Sequence, residues 1–152
     1  MLDSFNLDIS PLKKRFDSIE SDMAKMPQVY LPLVHRFTPG LYIREIFMPA
    51  GTLVSTRTHK TTHPYIIKQG KYQVIDQEGK GDVVEAPFTG ITQSGTRRVI
   101  NIIEDTIWIS FHITDKTNLD EINDDLSYTE NEGLPKEFIP ACYGKPRDVL
   151  MP

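Results

Sequence analysis

The sequence holds four histidines, and two of them stand four residues apart in Thr58-His59-Lys60-Thr61-Thr62-His63-Pro64. On a continuous strand this even spacing puts both imidazoles on one face, and with a turn over 60–62 they face each other across a hairpin mouth. Either geometry lets two neutral imidazole nitrogens approach one cation at the ~2 Å that coordination requires. Taken alone, the pair is better explained as decoration of an exposed turn, because lone pairs of histidines are common. The single cysteine, Cys142, excludes an intrachain disulfide and cannot by itself form a thiolate site, so any metal would rest on histidines and carboxylates. With no neighbouring His or helix start to activate it, Cys142 is read as idle. His35 precedes Arg36 in an early strand, has no partner in the sequence, and is read as structural. Arg57, Arg97 and Arg98 offer guanidinium forks for a carboxylate or phosphate, against the alternative of surface ion pairs with the abundant acids. Arg97 and Arg98 are adjacent, so on a strand at most one enters a shared cavity. Tyr65, Tyr72 and Trp108 are aromatic candidates for its lining, each also an ordinary core or surface residue.

These residues must be positioned by a chain of 152 residues, enough for one core. Residues 1–28 are expected to form a helical extension: Ser10 suits a cap, Pro11 the first turn, and Leu12, Phe16, Ile19 and Met23 recur at helical spacing until Met26-Pro27. From 29 to 114, short runs of Val, Ile, Thr, Tyr and Phe are broken by Pro39-Gly40, Ala50-Gly51, Gly70, Gly79-Lys80-Gly81, Pro87, Gly90 and Gly95. That pattern predicts about eight antiparallel strands in a sandwich or barrel, with Glu104-Asp105 at a hairpin tip. No helical period interrupts them, which argues against a parallel sheet. Residues 115–152 are expected to be an acidic tail with a short helix over 118–126 and apolar anchors at Phe138-Ile139 and Val149-Leu150. A net charge of −4 disfavours nucleic acid as the main partner. The sequence holds no apolar run of the ~20 residues that a membrane helix needs, and Met1-Leu2-Asp3-Ser4 lacks signal-peptide character. A soluble protein, cytoplasmic in the producing cell, is the expectation.

The stretch from Gly51 to Gly70 resembles the first motif of the cupin family: Gly, five residues, His-x-His, three or four residues, Glu, six residues, Gly. In that frame the two His positions fall on Arg57 and His59, and the Glu position falls on His63. Farther on, Gly81-Asp82-Val83-Val84-Glu85-Ala86-Pro87 is similar to the opening of the second motif. Gln93-Ser94-Gly95-Thr96-Arg97-Arg98 is similar to its end, with Arg98 at the metal-binding His position. Together with Glu104-Asp105-Thr106-x-Trp108 through Phe111-His112-x-Thr114, these stretches look most like small single-domain cupins encoded by tailed phages.

The resemblance implies a mainly β, single-domain double-stranded β-helix (jelly roll), frequent dimerisation and often a His-bound divalent metal such as Zn, Fe, Mn or Ni. It implies no particular reaction. Under the predicted hairpin, Arg97 lies opposite His112, which then neighbours the second motif and can complete a site with His59 and His63, Glu85 being a substitute ligand. The same register puts Ile100, Ile102, Ile107, Ile109, Phe111 and Ile113 on one face and Asn101, Trp108, Ser110 and His112 on the other. His112 therefore reaches the cavity only if the mixed face is the interior. The expected function is a small cupin holding a divalent metal on His59, His63 and His112, with a small anionic ligand on Arg57, Arg97 or Arg98 beside Tyr65 and Trp108. The alternative is a non-catalytic jelly-roll subunit of a larger assembly, such as a phage virion. At least a homodimer is expected in either case.

Overall fold

The computed structural model describes residues 10–75, 81–128 and 139–143. Half of the expected acidic tail, with Phe138, Val149 and Leu150, lies outside the described residues.

Seven strands carry the central region: β1 (Leu33–Thr38), β2 (Leu41–Met48), β3 (Thr52–Ser55), β4 (His63–Ile75), β5 (Val83–Glu85), β6 (Phe88–Thr92) and β7 (Val99–Ile113). An eighth, β8 (Ala141–Tyr143), comes from the C-terminal segment and pairs with β3. Every pairing is antiparallel.

The two long strands organise the sheet. β7 pairs with β4 along its length, and on its other side it pairs with β3 through its first half and with β2 through its second. β4 likewise gives its first half to β6 and its second half to β5. The sheet therefore curls into two layers, β1-β2-β7-β4-β6 and β8-β3-β7-β4-β5, that share the same two strands. Ile46, Met48, Tyr65 and Ile67 from one layer meet Val54, Tyr72, Ile100, Ile102 and Ala141 from the other in the main core.

The predicted hairpin at Glu104-Asp105 is corrected. β7 runs through both residues as one strand of 15. The irregularity falls in β4 instead, where Gly70 adopts φ +101 and the register shifts between Ile67 and Tyr72. Side chains hold the crossing: Thr106 Oγ1 accepts from the Lys71 N–H at 3.2 Å, and Asp105 Oδ1 accepts from the Ala50 N–H at 2.9 Å.

Two helices cover the curl. α1 (Ser10–Ala24) lays Phe16, Ile19 and Met23, spaced at i, i+3 and i+7, onto Leu53, Ile75, Val99 and Cys142. Burying Ile19 and Met23 contributes roughly 1.5–3 kcal/mol each. α2 (Leu119–Leu126) is capped by Asn118, whose side chain accepts from the Glu121 N–H. It packs Ile122 and Leu126 on Tyr42, at the open end of the curl.

Candidate functional site

A cavity of about 300 Å³ opens between the layers under α2. Its walls come from β1, β2, β3, β4, β6 and β7, the loop before β4, α2 and Ile139.

Alternation along the strands explains what enters it. On β2, Tyr42, Arg44, Ile46 and Met48 face the cavity, and on β7 Ile100, Trp108, Ser110 and His112 do. All of these are even-numbered, because an unbroken strand never exchanges its faces. The split drawn from the hairpin therefore does not hold: Trp108, Ser110 and His112 share the inner face with Ile100, while Ile113 is 92% exposed on the other side.

The structure brings three of the four histidines together. The ring centroids of His59 and His63 are 5.1 Å apart and those of His63 and His112 are 4.4 Å apart. His59 precedes β4 and is held by a bridge to Ser127; His63 opens β4; His112 lies near the end of β7. Burial drives His59 and His112 down to about 3, with His63 and Arg44 contributing to both, so both are uncharged at neutral pH. His63 is lowered as well, again chiefly by burial.

Each hydrogen bond restricts where a ligating lone pair can sit. His63 Nδ1 is 3.0 Å from the Thr61 carbonyl, which only accepts, so Nδ1 carries the proton and Nε2 is the free donor atom. His112 Nε2 is bonded to Ser110 Oγ at 2.9 Å, and its buried Nδ1 has no partner among the described residues. Metal-binding histidines typically anchor one nitrogen and leave the other free in this way. Rings sharing one metal have centroids about 4.5–5.5 Å apart, given nitrogen–metal distances near 2 Å. The donors thus fit a divalent ion in protonation and proximity. They do not converge as they stand: among the described residues no three His, Cys, Asp or Glu side chains are disposed to hold a metal ion. Glu85, considered as a substitute oxygen ligand, is exposed on β5 and pairs across to Lys71, away from the cavity.

The arginines separate. Arg98 and Arg57 line the cavity. Arg98 donates to Thr92 Oγ1 at 3.2 Å and lies 5.7 Å from the ring centres of both Tyr65 and Trp108. Arg97 is a correction: it turns to the opposite side and bonds Asp17 and Glu20 of α1 at 2.8 and 3.0 Å. Trp108 lines the cavity, while Tyr65 lies behind it, buried and stacked on Trp108 at 4.5 Å. Tyr72 is buried too, with its ring centre 5.2 Å from that of the same indole.

Sequence reasoning missed two cavity residues. His35, read as lacking a partner, shares a 2.7 Å hydrogen bond with the hydroxyl of Tyr42, which stacks on His112. Arg44 stands directly across from Ser110 and contributes to lowering all four histidines. Its signal was a lone charge alternating with Tyr42, Ile46 and Met48 along one face of a strand.

This curled antiparallel sheet around an internal histidine-bearing cavity is a cupin-type jelly roll. The chain matches no protein-family model and no curated protein. Among solved structures, salicylate 1,2-dioxygenase from Pseudoaminobacter salicylatoxidans, in complex with gentisate, is similar over 77% of this chain and 35% of its own, with 13% identity and a TM-score of 0.50. An acetylacetone dioxygenase from Acinetobacter johnsonii is similar over 55% of this chain, with 17% identity and a TM-score of 0.45. A cupin superfamily protein from Desulfitobacterium hafniense is similar over 60% of this chain and 84% of its own, with 10% identity and a TM-score of 0.45. The chain spans 59% of the acetylacetone dioxygenase. At these identities the likeness concerns the fold alone.

Proposed function

We propose that this cupin domain binds a divalent metal, Zn, Fe, Mn or Ni, on His59, His63 and His112, with no reaction assigned. The observation that carries the reading is the meeting of three imidazoles in one cavity, with His63 anchored through Nδ1 and His112 Nδ1 left without a hydrogen-bond partner among the described residues. A bound divalent ion supplies Lewis-acid polarisation of an oxygen ligand. The chain's own part is to hold the imidazoles neutral, anchor His63 on Thr61 and His112 on Ser110, and limit water through α2.

Elemental analysis of protein purified without a metal-carrying tag tests this. Near-stoichiometric metal is expected, with substantial loss in His59→Ala, His63→Ala or His112→Ala. Metal-free protein that gains no thermal stability from added divalent ions would sink the reading, because a ligand of the native state must stabilise it.

A second reading, self-association or incorporation into a larger assembly such as a phage particle, is favoured by the outer sheet face. Val34, Ile66, Ile91 and Ile113 are all exposed there. Light scattering should report at least a dimer, and a monomer at micromolar concentration would remove this reading.

A further inference from the structure

We propose that the cavity is a receptor for a small organic carboxylate, with Arg44 and Arg98 taking the carboxylate and the apolar walls taking its body. The inference rests on the cavity being the functional site and not on the metal.

Both arginines line the cavity and both are half-buried. Burial lowers the pKa of Arg44, with Tyr42 acting in the opposite direction. Among the described residues neither Arg44 nor Arg98 makes an ion pair. Arg98 has one neutral hydroxyl and two aromatic faces, and Arg44 stands across from Ser110 in the same cavity lining.

This is not a shortage of acids. The chain carries 21 Asp and Glu against 17 Lys and Arg, and the neighbouring Arg97 is given two carboxylates. The one carboxylate among the described lining residues, Asp120, is exposed in the first turn of α2. Two enclosed cations without a counter-ion are costly to maintain, and an anionic ligand supplies what is missing.

The remaining surface selects the kind of anion. Ile46, Met48, Val54, Ile100 and Trp108 line the same cavity and offer apolar contact. A volume of about 300 Å³ is at the small end of the ~300–1,000 Å³ range of small-molecule sites. A nucleotide or sugar phosphate would leave hydroxyls and charge against these walls. An aromatic or branched monocarboxylate would not.

The test uses the full chain treated with chelator, so that it does not depend on metal. Benzoate and isobutyrate at millimolar concentrations are compared with benzamide, isobutyramide and inorganic phosphate by calorimetry and thermal shift. The carboxylates are expected to bind saturably and raise the melting temperature, while the amides and phosphate bind at least tenfold more weakly. Arg44→Met and Arg98→Lys should each weaken carboxylate binding about ten- to a hundredfold, the worth of a charge-assisted hydrogen bond. Without ligand, Arg44→Met should melt no lower than wild type, because it removes an unpaired charge. Equal binding of amide and carboxylate, phosphate binding as tight as benzoate, failure of both carboxylates, or an Arg44→Met protein that fails to fold would each overturn the proposal. Carboxylate binding without metal uptake, or the reverse, separates this inference from the metal reading.

Discussion

Replacing Arg97 by methionine should cost about 3–5 kcal/mol of folding stability. The side chain is 8% exposed and bonds Asp17 at 2.8 Å and Glu20 at 3.0 Å. Glu20 is the critical partner, because its side chain is 2% exposed and its other hydrogen bond is the 3.0 Å contact from Ser55 Oγ. Methionine keeps an apolar stem against Phe16, whose ring lies 5.6 Å from the guanidinium, so the loss is chiefly electrostatic. It strands a buried carboxylate on one hydroxyl, the situation in which breaking a buried pair costs about 3–5 kcal/mol. Asp17, 27% exposed, is reached by water and adds at most about 1 kcal/mol. At about 2–4 °C per kcal/mol for a chain of this size, the melting temperature falls by about 6–20 °C. Glu20→Gln alone leaves Arg97 with Asp17 and should cost about 1–2 kcal/mol. Combined with Arg97→Met it removes the stranded charge, so the double variant should be more stable than Arg97→Met alone. Urea unfolding of the four proteins completes the cycle. An Arg97→Met penalty below about 1 kcal/mol, or strict additivity, would show that this pair does not hold α1 to the sheet.

Three further outcomes are expected. In chelator-treated protein, the native values near 3 for His59 and His112 lie below the ordinary 6.5, so the native state binds fewer protons than the unfolded one between them. Stability should therefore be complete above pH ~6.5 and fall as the pH drops towards 3, and a flat melting profile over that range would contradict the burial of these rings. Gly70→Ala should destabilise by more than about 2 kcal/mol in thermal melts, since φ is +101 and a Cβ there meets the Asp105 carbonyl and Thr106. Because Arg44 and Arg98 repel a cation as well as a proton, divalent metal should bind more tightly in the presence of benzoate, and benzoate more tightly with metal. Calorimetry in both orders should give the same factor, and no coupling would place the two ligands too far apart to share the field.

What the sequence made legible was whatever depended on neighbours along the chain. The strands between 33 and 113 follow from runs of β-branched and aromatic residues punctuated by glycine, and α1 from the spacing of Phe16, Ile19 and Met23. His59 and His63 came together because four residues span one short loop. What was hidden depended on register between distant strands. Arg44 meets the cavity through pairing with Ser110, and His35 meets Tyr42 across the β1–β2 hairpin, where neither residue type announces its partner.

The placement of His112 shows how narrow the margin was. A two-residue turn at Glu104-Asp105 would have exchanged the faces of everything beyond it, and an unbroken β7 does not. The odd step that the curl requires is taken by β4: between the pairs Ile67–Trp108 and Tyr72–Ile102, β4 advances five residues while β7 advances six. Accordingly the inward residues of β4 change from the odd-numbered His63, Tyr65 and Ile67 to Tyr72, while β7 keeps its even-numbered face throughout. Glu104-Asp105 has the composition of a turn, but Asp105 serves as an acceptor for Ala50, and it is Gly70, with no Cβ to strike the facing backbone, that lets β4 absorb the mismatch. The parity that delivers His112 to the histidine cluster is thus set by a glycine 42 residues earlier in the chain, on the strand alongside.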